Sequence, residues 1–277
     1  MLDTTGKLTF SDTTLRDGEQ APGVVFCLAD KLRIAAALDS LGVDEAEAGS
    51  AAMGAEELGV LRVLASQGFA MRLSCWCRAM EEDVYNAVRA EIGTVNISFP
   101  VSDILLGSMD RCRDWVLHHL DSVLPFAARA GCAFSVGLQD AGRAEPAFLD
   151  RVVRVAAGAG AFRVRVSDTV GILNPFTAAT LIGRVKRAAP SLRVSFHAHN
   201  DLGMAVANTL AAAQAGADTL DCTVNGLGER AGNCALEELL FAFRYSAGLA
   251  LEWAPEKLKT LDRKSTRLNS SHESPPR

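Results

Sequence analysis

Of the five histidines in the sequence, His197 and His199 are the pair whose spacing suits chemistry. They stand two apart at the end of a run, 193–197, that reads as a strand. Period-two geometry aims both imidazoles to the same side. Two nitrogen donors on one side form half of a metal site, and a third ligand could arrive from another strand. Two histidines bonded into loop structure would show the same spacing. His118 and His119 lie in a helical pattern, where neighbours point about 100 degrees apart, so at most one could join any site; both read as surface or core residues.

A second concentration follows the first strand-like run, where Asp12, Arg16, Asp17, Glu19 and Gln20 crowd one loop and Gly18 and Gly23 permit tight turns. A carboxylate added to two histidines, with positions left open, is a common catalytic divalent-ion arrangement. An adjacent guanidinium can hold a substrate carboxylate or a developing oxyanion. A solvated loop with an internal Arg to Asp pair is the plain alternative.

Three further stretches carry weaker signals. Asn225 to Asn233 places Gly226, Gly228 and Gly232 just before a helical pattern at 235–243. Backbone amides there could face an anion, and Asn233 could supply a neutral oxygen ligand. Ser167-Asp168-Thr169-Val170-Gly171 offers a hydroxyl and a carboxylate after another strand-like run, although Asp168 or Thr169 could equally cap a turn. Cys75 and Cys77 alternate to one side of a strand with no third ligand nearby in sequence and read as core.

The elements that must position these groups alternate along the chain. Strand-like runs fall at 8–10, 45–48, 72–75, 94–98, 133–136, 162–166, 194–197 and 219–223. Helical patterns lie between them at 30–41, 55–66, 83–90, 114–130, 147–157, 175–189 and 205–215, several closed by a glycine such as Gly68, Gly131 or Gly216. Eight βα repeats predict an α/β fold of the closed (β/α)8 TIM-barrel type over residues 1–262. An open doubly wound sheet would alternate similarly, but it usually carries a glycine fingerprint after its first strand, and Phe10 leads instead into Ser-Asp-Thr-Thr-Leu-Arg-Asp. In a barrel, chemistry collects where strands end and βα loops begin. Periodicity stops at residue 263, and 263–277 reads as a polar, disordered or artefactual tail in which His272 plays no part.

Composition narrows the classes. The chain has 277 residues, 49% of them hydrophobic, with 28 Lys plus Arg against 33 Asp plus Glu for a net charge of −5. A large core is available, and no basic run outside the tail invites nucleic acid. Seven cysteines with no C-x-x-C pair argue against a disulfide framework or a thiolate zinc site. With no basic-then-apolar leader and no long apolar run, the expectation is a cytoplasmic protein without membrane partners.

Four motifs in order, Asp12-Thr-Thr-Leu-Arg-Asp-Gly-Glu-Gln20, Ser167-Asp-Thr-Val-Gly171, His197-Ala-His-Asn-Asp-Leu-Gly203 and Asn225-Gly-Leu-Gly-Glu-Arg-Ala-Gly-Asn233, resemble the homocitrate synthases, isopropylmalate synthases and related metal-dependent Claisen-condensing barrels. The likeness covers about residues 8–250. Pro100-Val-Ser-Asp-Ile104, Arg113-Asp-Trp115 and Asp140-Ala-Gly-Arg143 look closest to the nitrogen-fixation type of homocitrate synthase. The resemblance implies a homodimer using a divalent ion (Mg, Mn or Zn), acetyl-CoA and a 2-oxo acid, with 2-oxoglutarate the expected acceptor. Carried over by motif, Asp17, His197 and His199 would be metal ligands and Asn233 a fourth or water-linked one. Arg16 would face the oxo carbonyl and, with Asp168, serve catalysis; Gln20, Thr169 and Arg143 would hold substrate.

Two departures accompany the likeness. Family members commonly read Glu-Asp-Ala after the fifth strand, whereas this chain has Gln139-Asp140-Ala141. Family synthases also continue into a subdomain that helps to cover the acyl-CoA site, so the expectation for 277 residues is a barrel that binds metal and oxo acid but is short of the enolising base. The alternatives are an isopropylmalate or citramalate type of synthase, a hydroxymethylglutaryl-CoA type of lyase, and an inactive metal-binding barrel. Such lyases usually carry a cysteine in the glycine-rich loop, and 226–232 has none.

Overall fold

A computed structural model describes residues 8–247 together with 257 and 258. Eight parallel strands close into a barrel in chain order: β1 (Thr9–Asp12), β2 (Glu45–Ser50), β3 (Arg72–Arg78), β4 (Thr94–Pro100), β5 (Ala133–Gln139), β6 (Arg163–Asp168), β7 (Arg193–Ala198) and β8 (Thr219–Cys222). Ser11 of β1 pairs with Glu45 of β2 on one side and with Asp221 of β8 on the other, which closes the ring. Around it run α1 (Leu28–Leu41), α2 (Ala55–Ala65), α3 (Glu81–Arg89), α4 (Asp103–Ser108), α5 (Arg113–Arg129), α6 (Pro146–Gly158), α7 (Pro175–Ala188), α8 (Ala205–Gln214) and α9 (Leu236–Tyr245). The expected (β/α)8 architecture is the observed one over the described residues. The boundary expected at 262 and the tail 263–277 lie outside them. No helix among the described residues is long and apolar enough to cross a membrane.

Local signals start the helices. Glu145 accepts the N–H groups of Ala147 and Phe148 at the head of α6, and Asn174 does the same for Phe176 and Thr177 before α7, each with proline at the first helical position. The short α4, which the periodic reading leaves unassigned, is capped by Ser102, whose hydroxyl accepts the Leu105 N–H. The strands outrun the apolar patterns: β3 reaches Arg78 and β5 reaches Gln139, past runs ending at 75 and 136. The reason is parity, since polar residues that break an apolar run still lie in register on the inward face.

The outward faces of the strands carry Phe10, Ile97, Phe99, Val164, Val166 and Phe196, each at most 2% exposed. They pack against helix faces such as Leu120, Val123 and Leu124 of α5. The inward faces hold buried Glu45, Glu47, Asn96, Ser135, Arg163, Arg165 and Asp221, where barrels of this class usually place bulky branched residues. Arg163 meets Glu45 at 2.7 Å and Arg165 meets Glu47 at 2.7 Å. These pairs join β2 to β6, strands on opposite sides of the ring, through its interior.

Candidate metal centre

The turn after β1 is built by the residues that precede its charges. The N–H groups of Arg16, Asp17 and Gly18 all donate to the Thr13 carbonyl, the Thr13 N–H donates to the Cys222 carbonyl, and Thr14 Oγ1 accepts the Val224 N–H. Asp12, fully buried at the end of β1, accepts the Thr14 N–H at 2.9 Å. It braces the turn and does not reach the polar mouth. Burial pushes its carboxyl up to about 7, against the Thr14 hydrogen bonds. This fastening to β8 presents Arg16 and Asp17 over the C-terminal end of the barrel.

His197 comes from β7 and His199 from just beyond it, their ring centroids 5.1 Å apart. Residues 232–234 lie alongside: the Cys234 N–H donates to the Ala198 carbonyl, the Asn200 N–H to the Gly232 carbonyl, and His199 and Asn233 form an antiparallel bridge. Asp17, His197 and His199 offer donor atoms that all lie within 4.8 Å of one another. Asp17 Oδ2 is 2.9 Å from His197 Nε2 and 3.9 Å from His199 Nε2, yet the short contact is off hydrogen-bond alignment and Asp17 Oδ2 is left without a hydrogen-bond partner. Asn233 Oδ1 is likewise buried and unpartnered. Donors gathered on one ion at about 2.1 Å stand roughly 3 to 3.5 Å apart, so this set of two imidazoles and a carboxylate fits a divalent ion.

Charge supports the same fit. Burial alone would raise the Asp17 carboxyl, but Arg16, 3.1 Å away, and the imidazoles hold it far below its ordinary range. Burial would lower His197, but Asp17 and Asp221 raise it to about 9. His199 is driven down to about 3 by its own burial and by His197. The pocket is thus negative enough to keep one positive charge on its imidazoles, a proton in the absence of an ion.

Asp17, His197 and His199 open onto a cavity of about 730 Å³. Its wall includes the expected Arg16, Gln20 and Thr169, and also Gln139. Three expected site residues do not line it: Asp168, Arg143 and Asn233, the last of which sits beside His199 with its Nδ2 donating to the Leu227 carbonyl. Asp168 points outward from β6, fully buried, and accepts the Ile172 and Leu173 N–H groups at 3.0 and 3.1 Å; strand parity puts Ser167, not Asp168, in the cavity wall. Arg143 does not line the cavity; its guanidinium grips the Asp140 carboxylate at 2.6 Å. In the glycine-rich loop the Gly226, Leu227, Gly232 and Asn233 N–H groups donate to carbonyls nearby in the chain, so these four are not free to face an anion. The loop's glycines make room for Asn233: a Cβ on Gly228 would strike the Asn233 amide, and one on Gly232, at φ +87°, the Gly226 carbonyl.

Trp76, Asn96, Ser98 and Arg165 also face the cavity, and no motif in the sequence marks them. Their signal was alternation: Trp76 sits between the outward Cys75 and Cys77, and Asn96 and Ser98 alternate with Val95 and Ile97. The Arg16 guanidinium lies 5.9 Å from the Trp76 ring centre.

The HMGL-like family profile matches residues 7–263. The chain is 43% identical over 257 residues to a homocitrate synthase of Frankia alni, covering 92% of this chain and 73% of that one. It is 43% identical over 235 residues to 2-isopropylmalate synthase 2 of Caldanaerobacter subterraneus, covering 84% and 61% respectively; it thus spans only part of each relative's length. A solved hydroxymethylglutaryl-CoA lyase of Brucella melitensis superposes with a TM-score of 0.83 over 96% of this chain and 100% of that one, at 18% identity, a likeness of fold.

Proposed function

Because the chain belongs to the HMGL-like family, with homocitrate and isopropylmalate synthases among its relatives, we propose that it condenses the acetyl group of acetyl-CoA with 2-oxoglutarate and hydrolyses the resulting thioester with water, releasing homocitrate and coenzyme A, in support of nitrogenase cofactor synthesis. The observation that carries this reading is the triad Asp17, His197 and His199 with Arg16 beside it, open to one cavity. A divalent ion held by these three, with Asn233 Oδ1 as a further oxygen donor, would supply Lewis-acid polarisation of the 2-oxo carbonyl.

The remaining work belongs to side chains. Arg16 keeps its guanidinium charged; burial opposes this, and Asp17 and Glu47 overrule it. A fixed cation beside the attacked carbonyl stabilises the oxygen as negative charge develops there. Gln20 and Thr169 stand in the wall to hydrogen-bond substrate oxygens. Thr169 Oγ1 is already fixed by accepting the Asp140 N–H at 2.9 Å. Val25, Phe26 and Met53 give one side of the cavity an apolar lining. Gln139 is a neutral amide, and Glu47 and Asp140 are each engaged by arginine, so no enolising base is assigned to these three.

Coenzyme A release from acetyl-CoA, measured with 2-oxoglutarate, 2-oxoisovalerate and pyruvate with and without chelator, tests the proposal. Fastest chelator-sensitive release with 2-oxoglutarate is expected. Preference for 2-oxoisovalerate moves the assignment to an isopropylmalate type, and silence with all three acceptors sinks the condensing activity for this chain.

A further inference from the structure

We propose that Arg165 is a positioning residue for the metal centre: its one buried guanidinium sets the orientation of both Asp17 and His197 through a closed ring of buried polar contacts. The inference rests on the metal reading above and extends it to a part of the barrel that no ligand motif touches.

The ring can be followed contact by contact. Asp17 meets Arg16 at 3.1 Å, Arg16 meets Glu47 at 2.6 Å, and Glu47 meets Arg165 at 2.7 Å. Arg165 meets Asp221 at 2.6 Å, Asp221 Oδ2 faces His197 Nδ1 across 3.5 Å, and His197 Nε2 returns to Asp17 at 2.9 Å. No side chain in it is more than 14% exposed, so water screens these contacts little. The members come from the β1 turn and from β2, β6, β7 and β8.

Arg165 holds the ring opposite the ligands. Glu47 divides its oxygens, Oε2 to Arg16 and Oε1 to Arg165, so Arg165 fixes the carboxylate that in turn steers Arg16 against Asp17. Asp221 Oδ2 lies 2.6 Å from Arg165 Nε and 3.5 Å from His197 Nδ1, in neither case with hydrogen-bond alignment, so it ties the two together by charge and proximity. A carboxylate at the far nitrogen of a ligating imidazole selects its tautomer and ring orientation. A planar guanidinium can address two carboxylates at once in fixed directions, which an ammonium cannot do.

Simple field strength predicts the opposite of positioning, and that makes the two separable. Replacing a buried arginine near a cation site by a neutral residue leaves Glu47 and Asp221 less compensated, so on field alone a cation should bind more tightly. A positioning role requires weaker binding. The experiment is titration of the ion-free full chain with manganese(II) alone, by calorimetry, for wild type, Arg165→Lys and Arg165→Gln. Thermal unfolding of each ion-free protein serves as the fold check, and the visible spectrum of each cobalt(II)-loaded protein as a probe of ligand geometry. Affinity lower by about tenfold or more in both variants, with a shifted cobalt spectrum in Arg165→Lys, is expected. Wild-type affinity and spectrum in Arg165→Lys, or tighter binding in Arg165→Gln, overturns the proposal. If Arg165→Gln does not fold, Arg165→Met, neutral and of similar length, takes its place, with weaker binding again expected and tighter binding again overturning the idea. A wild-type chain that binds no manganese removes the metal reading itself, whereas wild-type-like variants remove only the role of Arg165.

Discussion

Phe196 and His197 are neighbours on one strand, yet they belong to two different kinds of protein interior. On the outward side, Phe196, Val166, Val164 and Ile97 are wholly buried against the helices, and fully burying each such side chain stabilises the fold by about 1.5 to 3 kcal/mol. On the inward side, the same strands hold Arg165, Glu47 and Asp221, equally hidden from solvent but joined by ion pairs. The Ser11, Ser74 and Ser195 hydroxyls there have no hydrogen-bond partner. Buried ion pairs of this kind are often no more stabilising than hydrophobic residues of the same volume. The contrast teaches that stability and chemistry are separated by strand parity: even-numbered positions of β7 hold the barrel to its helices, odd-numbered ones serve the cavity.

The sharpest way to break that division is His197→Ala. It should abolish stoichiometric divalent-ion binding while the ion-free protein melts within about 4 °C of wild type; metal content by elemental analysis and a thermal melt together check both halves. A large drop in melting temperature would mean that the inward face also carries the fold. The converse is Phe196→Ala, expected to cost about 3 to 5 kcal/mol of unfolding free energy by denaturant titration, with manganese affinity per folded molecule unchanged. Arg16→Lys comes next: it keeps charge but loses the fork that spans Asp17 and Glu47, and turnover in the coenzyme A release assay should fall by roughly a hundredfold. Wild-type turnover would remove Arg16 from the chemistry.

The smallest effect concerns protons. In the ion-free protein His197 is raised to about 9, so at pH 7.5 it carries a proton that a ligating imidazole must give up. Ion binding should release about one proton at that pH and almost none above pH 10. The apparent affinity should accordingly climb with pH up to about 9 and then flatten. Calorimetry in buffers of different ionisation enthalpy counts the protons, and a pH-independent affinity between 7 and 9 would contradict the charge state assigned to His197.

The clustering of Asp17, His197 and His199 was legible in one dimension. His197 and His199 at alternating positions need only strand geometry to face one way, and Asp17 beside Arg16 needs only the turn after β1. The same local logic failed for Asp168 and Arg143. Asp168 has the right residue type in the right loop, but it stands on the outward parity of β6 and spends its oxygens on the Ile172 and Leu173 amides. Arg143 is claimed by Asp140, which lies only three residues before it. Trp76 was hidden by the more conspicuous cysteines on either side.

Sequence alone determined the eight βα repeats, the strand ends where chemistry would gather, and the residue types of the triad, because each of these depends on neighbours within a few positions. Only the tertiary structure decided what Glu47, Arg165 and Asp221 do. They lie on β2, β6 and β8, and Arg165 stands 118 residues from its Glu47 partner. Their charges can meet only once closure of the barrel brings strands far apart in sequence to face one another across a space of low dielectric, where water screens their pairing little.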